Sequence, residues 1–109
     1  MALPRAQPGT IVDLRSLGEA SAGFSAVALV KTASFEAVRM IVPAGREIPA
    51  HRIPGHITLH CLEGRLLLRM PETEVEMTAG DWIYLEGGVS HSLTGIENSA
   101  LLLTIMFGP

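Results

Sequence analysis

What most constrains this chain is its even succession of short apolar runs, each cut off by glycine, proline or small polar residues. "FSAVALVK" is broken by "TAS". "FEAVRMIV" alternates and puts Phe35, Ala37, Arg39 and Ile41 on one face, until Pro43 to Gly45 end it. "ITLHCLE" closes at Gly64 and "RLLLRM" follows directly, so Glu63-Gly64 reads as a hairpin turn. In "TEVEMT", Glu74 and Glu76 alternate with Val75 and Met77, the pattern of an exposed strand face rather than an acidic site. "AGD" turns into "WIYLE", "GG" turns into "VSHSLTGI", and "NSALLLTIMF" is the last strand. Eight or nine strands at this spacing, with no convincing helix, predict an all-β sandwich or barrel. Leu14 to Ala22 is the one stretch that could form a helical turn. The opening "MALPRAQPGT" has no periodicity, so residues 1–23 are read as an N-terminal arm and first-strand region, and residues 24–109 as one domain.

A chain of 109 residues suits one small domain. Its apolar fraction of 48% against 17% charged residues is that of a folding chain, not a disordered one. The net charge of −3 and the scattered Lys and Arg leave no basic patch, so no nucleic-acid partner is expected. The single cysteine, Cys61, excludes an intrachain disulfide and fits a reducing compartment. No signal-peptide pattern is present, and the apolar runs are about half the length of a membrane span. The expectation is a cytoplasmic protein without a membrane partner. The last strand is apolar on both faces, with Leu101, Leu103 and Ile105 on one and Leu102, Thr104 and Met106 on the other. One set can fill the core, and the other is expected to meet a second subunit in a homodimer.

Three of the four histidines, His51, His56 and His60, fall within ten residues, and His91 stands in "EGGVSHSL". With the glycines around them, these residues resemble two motifs of the cupin superfamily, whose small single-domain members are RmlC-like jelly rolls. The first motif reads G-x5-H-x-H-x3,4-E-x6-G. Gly45 is followed after five residues by His51, and Gly64 closes the motif in "HCLEGR". The second reads G-x5-P-x-G-x2-H-x3-N. Gly80 opens "GDWIYLEGGVSH", Gly88 stands at the second glycine and His91 at the histidine. The resemblance covers about Phe35 to Phe107 and implies a jelly-roll β-barrel. Members of the family often bind one divalent metal through both histidines of the first motif, its glutamate and the histidine of the second.

Half of that ligand set is present. His51 and His91 match ligand positions, whereas Ile53 stands at the second histidine and Ile57 at the glutamate. Glu86 replaces the second motif's proline and Gly95 its asparagine. His56, in the Pro54-Gly55 turn, is the best third ligand candidate. If Ile57 keeps the inward direction of the glutamate, Leu59 and Cys61 also point inward and His60 points out. A one-residue slip would reverse all four. Arg39, if it faces the barrel, could hold an anionic group through its planar fork of donors.

Two functional readings follow from the resemblance. In one, His51, His91 and His56 hold a divalent metal (zinc, nickel, iron or manganese) that supports oxygenase- or isomerase-like chemistry. In the other, no metal is bound. Ile53, Ile57, Leu59 and Cys61 form an apolar pocket, and the histidines anchor a small ligand for binding or sensing. Acid–base catalysis by His51 or His91 is a third possibility, but the sequence supplies no evident carboxylate partner. No catalytic residue is assigned.

Overall fold

The computed structural model describes residues 6–14 and 23–107. Most of the proposed helical turn from Leu14 to Ala22 lies outside the described residues. Nine strands run in order among the described residues: β1 (Ser25–Lys31), β2 (Phe35–Val42), β3 (Glu47–His51), β4 (Ile57–Glu63), β5 (Arg65–Met70), β6 (Thr73–Thr78), β7 (Trp82–Leu85), β8 (His91–Gly95) and β9 (Ser99–Met106). They form two sheets, one ordered β1-β2-β9-β4-β7 and the other β3-β8-β5-β6. All the pairings are antiparallel. Only β1–β2 and β5–β6 join consecutive strands in one sheet, and every other connection crosses between sheets. That crossing pattern is a jelly roll.

The Glu63-Gly64 turn differs from its expected role. It is a corner between sheets, because β4 already has β9 and β7 as its two neighbours. The buried residues Ile57, Leu59 and Cys61 of β4 and Leu66 and Leu68 of β5 share one core cluster. Placing β4 and β5 in different sheets lets these rows face each other. Gly64 makes the corner with φ 83°, and a Cβ there would run into the carbonyl oxygen of Asn98. Each fully buried leucine of this core contributes about 2 kcal/mol through removal from water.

Strand β3 was not visible in the sequence, because "EIPAH" carries a proline and a charge. It pairs only with β8, so it is an edge strand, and its register shifts between Ile48 and His51, around Pro49. Proline is tolerated there because an edge or an irregularity needs no ladder donor.

The unslipped register holds for β4. Ile57, Leu59 and Cys61 are buried, and Thr58, His60 and Leu62 alternate with them on the outer face. Across the larger sheet, Arg39, Leu102, His60 and Trp82 form one row of register partners. Ala37, Thr104, Thr58 and Tyr84 form the next row. No helix among the described residues is long and apolar enough to cross a membrane.

Candidate functional site

His51 closes β3 and His91 opens β8, and the two are direct register partners. Their rings lie 4.5 Å apart between centroids, inclined at 52°. By the two-residue period, His91 shares a face with Leu93 of the core cluster. It is 4% exposed, whereas His51 is open to solvent.

Both rings are anchored in the same way. His91 Nδ1 lies 3.0 Å from the Val89 carbonyl oxygen, and His51 Nδ1 lies 3.1 Å from that of Pro49. A carbonyl only accepts, so Nδ1 carries the proton and Nε2 of each neutral ring offers its lone pair. Burial holds the His91 pKa below its ordinary 6.5, and the neighbouring His51 lowers it further, against the opposing bond to Val89. His91 is therefore a neutral acceptor at neutral pH.

A hollow of about 380 Å³ reaches this end of the smaller sheet, lined in part by Arg52, Arg69, Ser90, His91 and Ser92. Arg69 is turned aside by Glu74, with Nε 3.0 Å from the carboxylate. Arg52, Ser90 and Ser92 were not singled out in the sequence. The alternation around His91 places the two serines on the face opposite its ring, but the juxtaposition with Arg52 depends on strand pairing.

The other candidates are not gathered at the pair. His56 sits in the turn before β4 with Nδ1 receiving the Gly87 N–H at 2.9 Å. Its ring meets the edge of Tyr84, at a centroid distance of 5.7 Å. Among the described residues, no group of three His, Cys, Asp or Glu side chains could hold a metal ion. His60 lies on the outer face of the larger sheet, paired with Trp82 and Leu102.

Of the five residues assigned to a pocket, Ile53 lines a cavity. It borders a half-open cleft of about 640 Å³ with Pro54, Gly55, His56, Ile105, Met106 and Phe107. Ile57 and Leu59, each 2% exposed, and Cys61, at 0%, are packed into the core instead. A barrel this small is filled by its own side chains. Burial and the nearby Asp81 push the Cys61 thiol up, which disfavours the reactive thiolate. Arg39 does not face the barrel. It alternates with the core residues Val38 and Met40 and lies 8% exposed on the opposite face, with Nε and Nη2 lacking a hydrogen-bond partner among the described residues.

These features define an all-β jelly roll with a histidine pair at one end of its smaller sheet. Residues 38–107 match the cupin domain family, and the chain belongs to it. A conserved protein of unknown function from Streptococcus pyogenes is similar in structure, with a TM-score of 0.81 at 18% identity over 100% of this chain and 97% of that one. A cupin superfamily protein from Desulfitobacterium hafniense gives 0.78 at 13% identity, over 99% and 100% of the two chains. An RmlC-like cupin from Methanocaldococcus jannaschii, described as a double-stranded β-helix, gives 0.74 at 16% identity, over 90% and 93%. At these identities the likeness shows the fold alone. A comparison with curated proteins finds no match.

Proposed function

We propose that this cupin is a metal-independent binding module that takes a small polar molecule at the end of the barrel where His51 and His91 meet. The observation that supports this reading is the anchoring of both rings side by side through Nδ1, which leaves the Nε2 of each ring, when neutral, as an acceptor. Such a pair receives hydroxyl or amine donors.

Many cupins use a divalent metal, but the donor set here does not fit one. Two imidazoles fall short of the three or four protein ligands such sites employ, and the remaining ligand positions carry Ile53 and Ile57. No step is therefore assigned to a metal.

The test is a thermal-shift screen of small diols and hydroxy acids on untagged protein. It is paired with elemental analysis after exposure to zinc, nickel, iron and manganese. Stabilisation of the parent that disappears in both His51→Ala and His91→Ala is the expected result. Stoichiometric retention of a metal, or ligand binding indifferent to both substitutions, would overturn the reading.

The outer face of the larger sheet supports a homodimer in this proposal. Trp82 is 61% exposed and Tyr84 47%, beside half-buried Leu102, His60 and Met106. Aromatic-rich, charge-poor surface of this kind is typical of the core of a subunit contact.

A further inference from the structure

The half-open cleft beside β9 stands apart from the histidine pair, and neither His51 nor His91 lines it. Its volume of about 640 Å³ is in the range that holds a small organic molecule. Its walls come from Ile53, Pro54, Ile105, Met106 and Phe107, and His56 is the one polar side chain among them.

The walls are held in place by the backbone. Gly88 N–H donates to the Ile53 carbonyl at 2.8 Å, and Met106 N–H donates to that of His56 at 2.8 Å. Phe107 N–H donates to the Ser34 carbonyl at 2.9 Å. A Cβ on Gly87 would strike the Pro54 carbonyl oxygen, and one on Gly55 would strike that of Met106. The two glycines thus let three chain segments close around the cleft more tightly than larger residues would. A preformed site of this kind loses little freedom when it is filled.

His56 decides what the cleft can recognise. Gly87 N–H donates to its Nδ1 at 2.9 Å, and the Tyr84 hydroxyl lies 3.5 Å from the same atom. Nδ1 is therefore the acceptor and Nε2 carries the proton in the neutral ring, the reverse of the tautomer at His51 and His91. The cleft combines apolar walls with a histidine whose ring is held through Nδ1.

We propose that this cleft is a second ligand site, for an apolar small molecule carrying one hydrogen-bond acceptor such as a ketone or ester carbonyl, received by His56 Nε2–H. The site does not depend on the reading of the histidine pair. An apolar body covers Ile105, Met106 and Phe107, and its carbonyl meets the donor at the rim.

Two probes of nearly equal shape test this, 2-acetylnaphthalene with a carbonyl and 2-ethylnaphthalene without. Binding is followed by amide shifts in labelled full-length protein. The ketone should move the Gly55, Gly87 and Phe107 signals and bind about fivefold more tightly than the hydrocarbon, a difference of the size one hydrogen bond at a rim supplies. His56→Phe should abolish that preference. His56→Gln, which can accept from Gly87 and donate to the ligand, should keep it. Met106→Trp should fill the cleft and block both probes without lowering the unfolding midpoint. Equal binding of the two probes, no movement of the three cleft amides, or shifts centred on His51 and His91 would overturn the proposal.

Discussion

The Nδ1 of His91 lies 3.0 Å from the Val89 carbonyl oxygen while the ring itself is buried beside that of His51. Burial is the larger effect, so the neutral ring is favoured in the folded protein. The unfolded chain, with an ordinary histidine, binds a proton first as pH falls. The stability carried by the neutral ring is complete above about pH 6.5 and is lost as pH drops below it toward the lower folded value. Imidazole signals followed by NMR should titrate for His91 below 6.5, its ordinary value. His91→Gln should flatten the fall of unfolding temperature on acidification. A His91 midpoint at or above the ordinary value would contradict this placement.

Metal affinity should be recoverable. Ile53→His with Ile57→Glu restores the two ligand positions that the family motif groups with His51 and His91. Ile57 is 2% exposed in the core, so the carboxylate should destabilise the apo variant by about 2–5 kcal/mol. Zinc or nickel should reverse part of that loss and bind more tightly than to the parent in titration calorimetry. No gain over the parent would show that positions 53 and 57 do not converge on the histidine pair.

Cys61 should be inert in the native protein. It is fully buried, its Sγ faces the Glu63 carbonyl oxygen at 3.5 Å, and its thiol is held in the protonated state. An aromatic disulfide reagent should label it only after denaturant is added. Fast labelling under native conditions would mean that β4 opens readily at this end.

Light scattering at micromolar concentration should return the mass of a dimer. Trp82→Arg, on the outer face at the edge strand β7, should shift the equilibrium to monomer while leaving the far-UV spectrum unchanged. A monomeric parent would remove the homodimer from the proposal.

Gly64→Ala should cost more than an ordinary glycine replacement. The residue combines φ 83° with a site where a Cβ would meet the Asn98 carbonyl and Ser99. A loss of about 1–3 kcal/mol is expected by urea unfolding, as strain and overpacking act together. A change within about 0.5 kcal/mol would show that the corner between β4 and β5 can relax.

The amino-acid sequence by itself determined the strand character of most of the chain and the parity within each strand. Period-two alternation is local, so Ile57, Leu59 and Cys61 could be assigned to one face and His60 to the other without a partner strand in view. Motif spacing likewise singled out His51 and His91. Only the tertiary structure decided which strands are neighbours. Glu63-Gly64 looks like a hairpin in sequence and is a corner in space, because the neighbours of β4 come from residues 82–85 and 99–106. The same non-local pairing sent Arg39 to the outer face, filled the barrel with residues expected to line a pocket, and separated His56 from the histidine pair. It did so by engaging the His56 ring through Gly87, more than thirty residues away along the chain. Faces follow from alternation along one strand, but cavities and ligand sets depend on contacts between strands far apart in sequence, which a local pattern does not encode.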